Sequence, residues 1–264
     1  MDTELQLLAE ESCDRSMTYS FLARALADEE IPLSFLESLR AMELETGTEL
    51  DAFAGGLAEL DDDALEGQRR ELAADHASAL LGMSVDPVSP YESVHTSEKH
   101  LMMQEARDAV VAAYREQGFA ASKDLRTPED HISLELDFMA ALCERLADAF
   151  ASQVNSKASA ETEVHTESDH EGCSCSAPTR DESDDTLGVE VPAAAARLIE
   201  AQACFVRDHL SAWVPGFCDE LEDHAATPFY RGVSQMLRAF ISDESEYLLS
   251  SAEVCGTSRE GSAL

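Results

Sequence analysis

The sequence predicts an all-α protein. Apolar residues recur at steps of three and four through most of the chain. Two long segments open on the same cap-then-proline signal, Thr127–Pro128 and Thr227–Pro228. No segment alternates apolar and polar residues as a half-buried strand would. The 264 residues are 44% hydrophobic, enough for a sizeable core in one large unit or two small ones.

Taken in order, residues 3–27 read as a helix with Leu5, Leu8, Ser12, Tyr19, Ala23 and Leu26 near one face, broadened by Met17, Phe21, Leu22 and Ala25. Pro32 opens a short helix over 33–42, and another lies between Gly47 and the pair Gly55–Gly56. Asp61 to Asp63 supply cap and first-turn acids for a helix through Leu81, in which His76 falls among apolar residues as a core histidine would. Pro87 and Pro90 exclude regular helix from the loop 82–93. A helix is expected from Ser97 to Gln117 with Leu101, Met102, Val110, Val111 and Tyr114 inward, stopped by Gly118. After Pro192, one helix runs to about Leu210, a second carries Trp213, Phe217 and Leu221, and a last long one carries Phe229 to Leu248. The total is about nine or ten helices.

The most regular stripe lies between Leu125 and Phe150. Thr127 is placed to cap a helix, with Pro128 at its first position and Asp130 where a capping-box acid would sit. Ile132, Leu136, Met139, Cys143, Leu146 and Phe150 then form one face, and Leu134, Phe138 and Leu142 widen it. His131 and Glu135, four apart, prolong the apolar row instead of joining the solvent row of Ser133, Asp137, Glu144 and Asp148. Two readings stand: titratable groups at the mouth of a buried face that mark a pocket, or a helix cap and a structural pair.

Residues 155–190 break the pattern. They hold ten acids against two bases, many Ser and Thr and no apolar periodicity, and read as a disordered acidic insertion. Within it, His165, His170, Cys173 and Cys175 are potential soft-metal ligands, without zinc-finger spacing. The expected division is therefore an N-terminal helical part at 1–120, a central helix at 121–154, the insertion at 155–190, a C-terminal helical part at 191–252 and a flexible tail at 253–264.

Fifty-four acids against 18 bases give a net charge of −36, which argues against nucleic acid and anionic membranes as partners and fits either a basic partner or an acidity that serves solubility or a salty interior. No apolar run is long enough to span a membrane, and the acidic start lacks the pattern of a secretory signal, so a cytoplasmic location is expected. The seven cysteines have no framework spacing and read as reduced thiols, with Cys143 and Cys204 acting as small apolar residues within helices. Phosphate-binding loops, GxSxG elbows and HExxH motifs are missing. The two Glu-x-x-His instances, Glu92–His95 and Glu167–His170, lie outside inward helical stripes. No cofactor and no catalytic residue are assigned.

Three segments together resemble the TorD/DmsD family of chaperones for molybdenum-containing reductases: Ser89 to Phe119 (SPYESVHTSEKHLMMQEARDAVVAAYREQGF), Arg126 to Cys143 (RTPEDHISLELDFMAALC) and Phe205 to Phe240. The family's Pro-x-Asp-His element matches Pro128, Asp130 and His131, whereas Arg126 stands near where the family has an acid, Asp124 being the nearest one here. The resemblance implies a cytoplasmic, non-catalytic protein. Its partners would be the apo-form of a molybdopterin-dependent catalytic subunit and that subunit's twin-arginine leader. It would aid cofactor insertion and delay export. Asp130 and Glu135 would then attract the leader's guanidinium groups, His131 would orient a neighbour, and Tyr91 and Glu92 would form another wall. The alternatives are a chaperone of a subunit that is not exported, or a metal-handling protein using the 165–175 cluster. Long helices joined by hinges fit either a monomer or a helix-exchanged dimer.

Overall fold

The computed structural model describes residues 2–27, 30–120, 126–164 and 191–260. It is all-helical among these residues: α1 (Asp2–Ala25), α2 (Leu33–Arg40), α3 (Glu49–Leu57), α4 (Asp62–Ala79), α5 (Glu92–Thr96), α6 (Glu105–Glu116), α7 (Ile132–Val164), α8 (Ala193–Phe205), α9 (Ser211–His224) and α10 (Pro228–Glu260). The one β-type contact is an isolated antiparallel bridge between Tyr91 and His131. No helix among the described residues is long and apolar enough to cross a membrane.

α1 lies along α7, and α10 packs against α9, α3 and α8. The stripe of α7 is buried as its spacing requires, with Ile132, Leu136, Met139, Leu142 and Cys143 all fully enclosed. A polar network joins the two groups of helices. Arg15 of α1 donates to both carboxylate oxygens of Glu244 on α10 at 2.7 Å and to Gln202 of α8 at 2.6 Å, and the Tyr19 hydroxyl reaches Glu244 at 2.8 Å. The pair is almost wholly buried, so its desolvation has to be offset by these bonds. α10 approaches α3 so closely that a Cβ on Gly232 would lie 2.3 Å from the Leu50 backbone nitrogen.

The caps behave as the sequence leads one to expect at two places. Asp61 accepts from Ala64 N at 2.8 Å at the start of α4. α10 begins at Pro228, and Asp75 of α4 adds a cap from a distance by accepting from Ala226 N at 2.9 Å and Thr227 N at 2.7 Å.

Other expectations are corrected. The helix expected from Ser97 to Gln117 is α6 alone, preceded by a loop. Leu101 and Met102 are 54% and 43% exposed instead of inward, and His100 and Met103 take left-handed conformations at φ 49° and 61°. The His100 ring bonds back to the Val94 carbonyl at 2.9 Å, which closes α5 and turns the chain out of helix. Met17 is 66% exposed, on the face of α1 away from the core, and Cys204 is exposed. Ser133 is buried, not in the solvent row.

The two helices expected on either side of Leu210 form one continuous rod, because a π-helical turn, Val206–Leu210, joins α8 to α9. Pro215, inside α9, has no N–H for the Ser211 carbonyl, so the ladder is already relaxed at this joint. α7 continues past Asn155 to Val164, and α10 runs to Glu260, into the stretch read as a tail. His165, His170, Cys173 and Cys175 lie outside the described residues.

Candidate recognition site

The Pro128–His131 element does not begin α7 in the way its spacing suggests. His131 N bonds to the Pro128 carbonyl at 3.2 Å, which makes a turn, and α7 starts only at Ile132. The reason lies across the molecule. Glu92 N donates to the Asp130 carbonyl at 2.9 Å and Ile132 N to the Pro90 carbonyl at 2.8 Å, so 130–132 is held extended against 90–92. The Asp130 carboxylate is then free of its own helix. Its Oδ2 accepts from Ser93 N at 3.0 Å and, in a short bond, from the Ser93 hydroxyl. Asp130 thus caps α5, whose own N-cap position is Tyr91 with no side-chain cap bond. His131 serves α7 instead, its Nδ1 accepting from Ser133 N at 3.2 Å. The Tyr91 and His131 rings meet edge to face at 5.0 Å.

Glu92 and Glu135 complete an acidic centre. Glu92 is 3% exposed, and its carboxylate lies 2.9 Å from His209 Nδ1. Glu135 is fully buried, and its Oε2 accepts from the Trp213 indole N–H at 3.2 Å. Burial pushes the Glu135 carboxyl well above the usual glutamate range. The negative charge of Glu92 beside it adds to this, the Trp213 bond opposes it, and Asp130 contributes further in the upward direction. One oxygen of Glu135 and one of Asp130 are buried without a hydrogen-bond partner. Among the described residues the only buried Arg or Lys is Arg15, which is committed to Glu244. Among the described residues no guanidinium or ammonium group is bonded to the three carboxylates, and the His209 ring lies against Glu92.

A cavity of about 650 Å³ opens beside this centre, between α6 and α8. Ala109 and Ala112 of α6 face Ala201 of α8, and Phe138 and Phe205 line it with aromatic surface. Phe138 and Phe205 meet at 4.8 Å. His209 lines the same cavity, so one ring touches both the groove and buried Glu92.

The structure thus brings together Tyr91, Glu92, Asp130, His131 and Glu135, with Pro128 half-buried in the adjoining turn. Spacing missed His209, Trp213 and His95, whose ring stacks on Trp213 at 5.1 Å while its Nε2 reaches the Ser89 carbonyl at 2.7 Å. A signal existed in the row Phe205, His209, Trp213, each four residues apart, though the π turn disguises its direction. Among the described residues no group of three or more His, Cys, Asp or Glu is placed to hold a metal ion.

Comparison with known proteins agrees with this architecture. The profile of the nitrate reductase delta subunit family matches residues 46–170, a span that contains the Tyr91–Glu92 and Pro128–Glu135 elements. The chain is 25% identical to the chaperone protein TorD of Photobacterium profundum over 87% of its own length and 90% of that protein. It is 24% identical to TorD of Vibrio parahaemolyticus, covering 81% and 89%, and 24% identical to TorD of Vibrio vulnificus strain YJ016, covering 87% and 90%. Across most of its length the chain is thus similar to chaperones named TorD.

Proposed function

We propose that this chaperone binds the twin-arginine leader of an apo-molybdoenzyme in the cytoplasm, and holds the subunit back from export while the molybdopterin cofactor is inserted. Tyr91, Glu92, Pro128, Asp130, His131 and Glu135 form the recognition site. One observation carries this reading: three buried carboxylates, two of them with an unpartnered oxygen, lack a guanidinium or ammonium partner among the described residues. Burial favours the protonated form of Glu135, and an arriving guanidinium would favour its ionised form while its fork satisfies several carboxyl oxygens at once. The groove beside them, with alanine walls and an aromatic lining, suits the apolar stretch that follows the arginines in a leader. The chain's charge of −36 steers a basic segment towards the site.

Competition tests the reading. The purified chaperone is mixed with an apo-catalytic subunit, and a synthetic leader is added. Displacement of the subunit by the leader, but not by a leader with alanines for its arginine pair, is the expected result. Capture of the subunit that no leader disturbs would transfer recognition to the mature enzyme, as for a client that is not exported.

A further inference from the structure

We propose that His209 is the gate of this site: a ligand arginine arriving along the α6–α8 groove displaces the His209 ring from Glu92 and takes its place among the buried carboxylates. The inference rests on the leader-binding reading and adds a route and a gate residue to it.

Position carries the argument. His209 is 8% exposed, lines the groove, and lies 2.9 and 3.2 Å from the two oxygens of Glu92. Its ring leans on Phe205, another groove residue, at 4.7 Å. Behind it stand Glu92, then Glu135 with its indole donor Trp213. The ring therefore stands between an acidic chamber and a groove whose alanine and phenylalanine walls are edged by Glu116, Arg197, Glu200 and Asp208. It is also the single basic group bonded to that chamber's carboxylates.

The backbone at this point is a π-helical turn, which holds one residue more than an α turn and re-aims the side chains after it. Arg207 and Asp208, neighbours on the same turn, are exposed and bonded to each other at 2.6 Å, so neither serves the chamber. An arginine that replaces the imidazole keeps Glu92 paired. Its remaining N–H groups face acceptors that now have no donor, Glu135 Oε1 and Asp130 Oδ1.

The test uses the full-length chain and its only tryptophan, Trp213, as reporter. The probes are N-acetyl-arginine amide, its glycine counterpart and a synthetic twin-arginine leader peptide. Arginine amide is expected to change Trp213 emission saturably, and the glycine compound to leave it unchanged. His209→Arg should supply its own guanidinium, abolish the arginine-amide response and weaken the peptide by about tenfold or more, with unchanged helical content. His209→Gln, which has no imidazole to lay against Glu92, should bind both probes at least as well as the native protein. Native-like binding by His209→Arg, or equal weakening in both variants, overturns the gate, as does a lack of response to both probes. Response to arginine amide without leader binding supports the gate and overturns the leader reading.

Discussion

Asp130 illustrates how one side chain serves geometry and charge together. Its Oδ2 accepts both Ser93 bonds, while Oδ1 has none. Asparagine can keep the first function, with its oxygen towards Ser93 and its amide at the unpartnered position, but it removes the charge. Asp130→Asn is therefore expected to melt within a few degrees of the native protein and to bind the leader less well, whereas Asp130→Ala should lose the cap of α5 and about 1–2 kcal/mol of stability. Thermal melts beside peptide titrations separate the two effects. Equal leader affinity in Asp130→Asn would reduce Asp130 to a cap.

Glu135 gives a pH signature. Burial and the Glu92 charge raise its folded-state pKa, so the folded protein keeps a proton that the unfolded chain has released. The folded state binds the extra proton, and stability falls as pH rises from the ordinary glutamate range through the raised value. Glu135→Gln removes that loss. Its melting temperature should gain on the native protein steadily as pH rises, and a gap independent of pH would show that Glu135 titrates normally.

At the scale of elements, the helices of the core were legible and the junctions were not. The stripes of α1, α4, α7 and α10 follow from steps of three and four, because burial selects a face and the helix period fixes which residues share it. Asp130 was legible as a cap, yet it caps α5 and not its own helix, since local spacing cannot register a partner 37 residues away. The loop 97–104 carries a helix-like apolar run in Leu101, Met102 and Met103, and its left-handed residues owe their shape to the short α5 before it. His209 was hidden for a similar reason, because the π turn adds a residue that a regular period does not count.

Close packing at one helix junction makes a quantitative claim. α10 meets α3 at Gly232, where a methyl group would press on backbone and not on a movable side-chain tip. Gly232→Ala should cost about 1–3 kcal/mol in chemical denaturation despite its better helix propensity. A stabilised variant would mean that the two helices are spaced more widely than described.

The whole molecule combines a rigid frame with an unsatisfied acidic centre. The frame is the α1–α7 pair tied to α8 and α10 through Arg15, Gln202 and Glu244. That network uses, on internal structure, the only buried arginine among the described residues. Under the proposed function, the centre at α5, α7 and the π turn would take a cation from outside, within a chain whose net charge of −36 would draw such a cation in. Similarity to TorD chaperones suggests the proposed class of client, and the arrangement of Glu92, Asp130, Glu135 and His209 offers the chemistry by which one feature of that client would be recognised.

Calorimetric titration with a twin-arginine leader peptide, at low and moderate salt, tests this most directly. The account predicts saturable binding that weakens as salt rises and is lost when the arginine pair becomes lysine or alanine, because a lysine cannot supply the guanidinium fork. Binding that is indifferent to the arginine pair would contradict it.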